Sequence, residues 1–141
     1  QMTDTQGIQP KSILHITIGV KNLDPATDFY RDVLGCELLR QNSKHTMSFM
    51  QAGSSYFVLA QTGRHVPPNG PGDTIFHHAF IVDADAYDAA VTCLESHGVE
   101  LMEAKGKRDN PDAQHNSFPG RHVYFHDPDG NGLEITDCTG A

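Results

Sequence analysis

The chain has no tryptophan, three cysteines, no cluster of lysine or arginine and no apolar run near bilayer-spanning length. Each absence excludes something. Cys36, Cys93 and Cys138 are odd in number and widely spaced, which rules out a disulfide framework or a zinc knuckle and predicts reduced thiols in a cytoplasmic setting. Without a basic run, and with a formal charge of −8, the chain offers no nucleic-acid surface. Without an 18-residue apolar stretch or a signal-like hydrophobic segment, no membrane span is expected. What remains is 141 residues with 38% hydrophobic content, enough for one domain with its own core. Residues 1–11 are polar and read as a disordered N-terminal segment ahead of a single domain over 12–141. Histidine is the residue in surplus: there are nine, which makes metal binding the chemistry to test.

Residues 120–136, GRHVYFHDPDGNGLEIT, organise the reading. The DPDGNG segment is a turn by composition, because Pro presets φ while Gly and Asn tolerate positive φ. Short apolar runs on either side make it a β-hairpin, and the second run carries Glu134 between Leu133 and Ile135. A carboxylate in such a strand either faces water or is paired inside, since burying it bare is costly. Alternation alone leaves both open.

The rest of the chain repeats itself. Residues 12–20 alternate as a strand containing His15, and 26–34 form an amphipathic helix after Pro25, capped by Asn22 or Asp24 and ended by Gly35. Strands follow at 36–40, 46–51 and 56–61. After a Gly/Pro-rich stretch at 62–73 the pattern restarts. Residues 74–83 form a strand with His77 and His78, 84–97 a helix with Tyr87, Val91 and Leu94 on one side, and 99–103 a strand before the polar 104–114. HITIGV at 15–20 superposes on HHAFIV at 77–82, and LGCELL at 34–39 on HGVELM at 97–102. The fold class is therefore α+β: two βαβββ modules, 12–61 and 74–138, related by a pseudo-twofold axis and curled into a cleft of mixed sheet. His15 and His77 occupy equivalent places. Two imidazoles and a carboxylate on rigid strands suit an open-sided divalent site, which makes His15, His77 and Glu134 candidate ligands.

These motifs — His15-x-Thr-Ile, FYRDVLG, His77-x-Ala-Phe and DPDGNGLE — resemble those of the vicinal oxygen chelate superfamily, which includes glyoxalases, extradiol dioxygenases, fosfomycin-resistance enzymes and bleomycin-resistance binders. The resemblance covers residues 13–137. It implies His15, His77 and Glu134 as the metal ligands, with His78 replacing His77 if the register slips by one. Glyoxalase-like members take a fourth ligand from the last strand of the first module. Here that position is Phe57 or Val58, neither a ligand, and Gln51 or Gln61 would need a shifted register. A three-ligand site is what extradiol dioxygenases and fosfomycin-modifying enzymes use, and of these the resemblance makes the extradiol dioxygenases the leading expectation. Fe(II) would hold a catechol-like substrate beside O₂, with His65 as acid–base and His115 and Tyr124 bonding the substrate oxygens.

The same scaffold also hosts glyoxalase-like isomerases or lyases and epoxide-opening transferases, using Mn, Ni, Zn or Mg, and metal-free resistance proteins that bind small molecules. Phosphonate substrates call for cationic side chains. The absence of Arg and Lys from 136–141 weighs against that branch, leaving Arg64 and Arg121 as candidate anion binders. Relatives of this size suggest a homodimer, in some of which the site is shared between chains.

Overall fold

The computed structural model describes residues 7–64, 75–102 and 118–140. β1 (His15–Val20) leads to α1 (Leu23–Asp28), which continues without a break as a π-helical turn over Phe29–Val33. The predicted helix is therefore real but two-part: the backbone N–H of Leu34 reaches back to the Phe29 carbonyl at 3.2 Å, five residues away. The Asn22 side chain does not cap its start; the Gln61 side chain instead accepts the N–H of its first residue, Leu23. Gly35 takes φ +72°, as a residue just past a helix end does, and Gly98 repeats this at φ +75° after the second helix. β2 (Glu37–Gln41), β3 (Met47–Ala52) and β4 (Ser55–Gln61) complete the first module.

The second module opens with β5 (His77–Ile81), a 3₁₀ turn at Ala84–Ala86 and α2 (Tyr87–Ser96), and closes with β6 (His122–His126) and β7 (Gly132–Thr136). Tyr87, Val91 and Leu94 are the buried residues of α2, as their spacing predicts. Of the strand expected at 99–103, the described part is a single antiparallel bridge from Met102 to Tyr124. No helix among the described residues is long and apolar enough to cross a membrane.

The two modules share one wiring. The first sheet runs β1-β4-β3-β2 and the second β5-β7-β6. In each, the first strand lies parallel to the last. The inner faces of both sheets and both helices meet in one core that includes Ile18, Tyr30, Phe57, Tyr87, Phe125 and Leu133. Phe57 and Phe80 pack edge-to-face across the modules, ring centroids 5.7 Å apart.

The predicted DPDGNG turn also docks the modules. Buried Asp127 accepts backbone N–H bonds from Asp129 and Asn131 at 2.8 and 2.9 Å, which shapes the turn. Its other oxygen accepts the Tyr30 hydroxyl of the first module at 2.7 Å. Asn131 donates to the Gly19 carbonyl of β1 at 2.9 Å. β1 and β5 lie at the edges of their sheets, flanked by the exposed apolar side chains of Ile13, Leu14, Ile75, Phe76 and Ile81.

Candidate metal centre

Strand register decides which residues share a face. His77 pairs with Gly132 and Ala79 with Glu134, so His77, Ala79 and Glu134 point to one side of the second sheet. His78 points to the other side, towards the cleft of about 690 Å³ that it lines with His15, Tyr56 and Phe80. Burial, with the neighbouring His77 next, lowers the His78 pKa and keeps that ring neutral, although Asp127 opposes the shift. His77, not His78, meets the carboxylate: His77 Nε2 lies 3.0 Å from Glu134 Oε1.

The tautomer of His77 follows from its other nitrogen. Nδ1 faces the Ile75 carbonyl at 3.1 Å, and a carbonyl only accepts, so Nδ1 carries the hydrogen. Nε2 then lies beside a carboxylate oxygen. An imidazole nitrogen and a carboxylate oxygen this close are a donor set that fits a divalent ion. Glu134 is 5% exposed, which settles the choice that alternation left open: it is the inward, paired carboxylate.

His15 opens β1 in the other sheet, and among the described residues no three His, Cys, Asp or Glu side chains converge within one chain. Tyr124 is brought to the site. It sits directly opposite Glu134 on β6, and its ring meets the His77 ring edge-on at 5.4 Å. Burial, and then the Glu134 charge, raises its pKa, so the phenol holds its proton at neutral pH. His65 and His115 lie outside the described residues.

The register also identifies the position equivalent to Glu134 in the first module. Thr17 of β1 matches Ala79 of β5, and the partner of Thr17 is Val58, which therefore stands where Glu134 stands in the second module. Gln61 and Gln51 are engaged elsewhere, Gln61 accepting the Leu23 N–H at 2.8 Å and Gln51 donating to the Gly53 carbonyl at 2.9 Å.

One residue of the site escaped the sequence reading. His122, 5% exposed, turns Nδ1 on Glu134 Oε2 and Nε2 on the Phe118 carbonyl, the latter at 2.8 Å. The signal was parity: His122, Tyr124 and His126 alternate on β6, so a hairpin that puts Tyr124 beside Glu134 also puts His122 on that face.

Arg121, a candidate anion binder, is committed to the fold. It reaches Asp137 and the Ala84 carbonyl, each at 2.8 Å, and lies over the Tyr87 ring. Arg64 is exposed.

Comparison with known proteins corrects the expected reaction. The chain is 27% identical over 124 residues to the metallothiol transferase FosB of Staphylococcus epidermidis, spanning 88% of this chain and 80% of that protein. It is 28% identical over 128 residues to the glutathione transferase FosA of Serratia marcescens, spanning 89% and 79%. Among solved structures, the fosfomycin resistance protein FosX of Listeria monocytogenes matches with a TM-score of 0.73 at 20% identity, covering 93% of this chain and 94% of that one. The two curated relatives are named as a metallothiol transferase and a glutathione transferase, so the expectation of a ring-cleaving, iron-dependent dioxygenase is overturned, and with it the reason to prefer Fe(II). These relatives favour the epoxide-opening transferase alternative instead. The sequence pattern described as "Glyoxalase/Bleomycin resistance protein/Dioxygenase superfamily" matches residues 12–135, and the chain belongs to that superfamily.

Proposed function

We propose that this protein is a divalent-metal-dependent enzyme that opens an epoxide by adding a thiol or water, working as a homodimer. The observation that carries the reading is the His77–Glu134 pair, with His77 Nε2 held 3.0 Å from the carboxylate and its other nitrogen on the Ile75 carbonyl. His15 supplies the third ligand. Because it lies on the other sheet, it comes from a second copy of the chain whose β1 edge approaches β5. The exposed apolar side chains flanking both edges support such a contact.

A divalent ion at this site supplies Lewis acidity towards the epoxide oxygen. Mn(II) accompanies 1S,2S-dihydroxypropylphosphonic acid in a FosX structure at 20% identity, and Mn, Ni, Zn or Mg suits a His/carboxylate set. The chain's own residues do the rest. Buried Glu134 fixes the charge of the site. Tyr124, protonated and beside His77, donates a hydrogen bond to the oxygen that gains charge as the ring opens. His65 and His115 stand as further acid–base candidates from the two stretches outside the described residues.

The test is direct. Protein loaded in turn with Mn(II), Ni(II), Zn(II) and Mg(II) is incubated with fosfomycin and glutathione, cysteine or no thiol, and ring opening is followed by phosphorus NMR. Turnover in at least one arm is expected. Its absence in every arm, from protein that binds metal, would overturn the reaction while leaving the site.

A further inference from the structure

Glu134 is gripped from both sides. Its Oε1 faces His77, and its Oε2 is bonded by His122, a ring itself pinned at the far end by the Phe118 carbonyl at 2.8 Å. His122 and Glu134 are diagonal neighbours across β6 and β7, since His122 pairs with Thr136 and Tyr124 with Glu134. An imidazole is long enough to close that diagonal. Both side chains are 5% exposed, so water does not compete for the second oxygen.

The Phe118 carbonyl can only accept, so Nε2 of His122 carries a hydrogen. Nδ1 lies within hydrogen-bond reach of Glu134 Oε2, so the ring bridges the Phe118 carbonyl and the carboxylate. The ring is used at both nitrogens. It is not placed as a ligand, and among the described residues the three side chains do not form a common coordination group.

We infer that His122 is a positioning residue that makes Glu134 a one-oxygen metal ligand. With Oε2 occupied, the carboxylate offers a cation Oε1 alone, beside His77. A carboxylate free at both oxygens can chelate with both and take two coordination positions. Holding one back keeps a position open for substrate. The inference rests on His77 and Glu134 being metal ligands.

The experiment titrates wild type, H122F, H122N and E134Q with Mn(II), reading free and bound ion by electron paramagnetic resonance. H122F removes the bond, while the amide of H122N sits near the place of Nδ1 and can donate to Oε2. H122F is expected to weaken Mn(II) binding about 10–100-fold and to change the spectrum of the bound ion. H122N is expected to recover most of both. Should H122F not fold by circular dichroism, H122A takes its place with the same expectation. Wild-type affinity and an unchanged spectrum in H122F, or H122N no better than H122F, would overturn the inference and leave the metal site standing. Equal Mn(II) binding by wild type and E134Q would instead sink the metal site, and this inference with it.

Discussion

Glu134 Oε1 and His77 Nε2 lie 3.0 Å apart although they are 57 residues apart in sequence, because parallel strands β5 and β7 set Ala79 opposite Glu134 and so turn His77 to the same face. With the His77 ring fixed by the Ile75 carbonyl, the pair sets one nitrogen and one oxygen side by side, the two donors the proposed metal site would use. H77A and E134Q are each expected to lower metal affinity by at least about 100-fold, since loss of an outer partner alone costs up to that much. Isothermal titration with Mn(II) measures it, and near-wild-type affinity in either variant would remove that residue from the site.

A site shared between copies makes a sharper prediction. On the proposed sharing, H15A and E134Q homodimers would each lack a ligand at both sites, and a heterodimer of the two would hold one site with both defects and one with none. Unfolding and refolding the variants together in equal amounts should restore metal binding at about a quarter of all sites, as expected for a twofold dimer with random pairing. No recovery from a mixture whose heterodimers are seen by native mass spectrometry would mean that His15 serves no shared site.

The module junction can be tested through Tyr30. Its buried hydroxyl donates to Asp127 at 2.7 Å across 97 residues of sequence. Burial, reinforced by Asp127, holds its pKa well above the ordinary phenol value, so it remains a donor throughout the working range. Y30F should cost about 1.5–3 kcal/mol of stability, the range for a hydrogen bond to a charged partner. Chemical denaturation measures it, and a loss below about 0.5 kcal/mol, the floor for an ordinary hydrogen bond, would show that the turn docks without this bond.

Asp137 gives a pH signature. Burial pushes its pKa up, but the backbone N–H and guanidinium of Arg121 outweigh this and hold it below the usual carboxylate range. A carboxylate with a depressed folded pKa contributes stability in full above its unfolded value of about 3.9, and loses it as pH falls through the folded value. D137N should therefore lower stability at neutral pH by about 1.5–3 kcal/mol and flatten the acid side of the stability profile below about pH 4. Parallel acid limbs in the two proteins would refute the assignment.

Much of this was legible in the chain, and the reasons are local. The repeat was visible because each module writes strand, helix and strand with the same spacing, so that His15 and His77 open equivalent strands. The absence of a ligand at Val58 needed only side-chain identity. His78 could be set aside only once β5 was paired, because adjacent residues of a strand face opposite ways and nothing within the strand says which way is in. The π-helical turn at Phe29–Val33 was invisible for a similar reason, since its apolar spacing also fits an ordinary helix.

By itself, the sequence determined the two-module plan, the turn at DPDGNG and the kinds of ligand on offer, since backbone preferences and alternation act within a few residues. Only the tertiary structure decided that His15 stands on a different sheet from His77 and Glu134, that the turn grips Tyr30 and Gly19 of the other module, and that His122 takes the second oxygen of Glu134. Those outcomes depend on which faces of two sheets are buried against each other, and that is settled by burial and register across the whole chain.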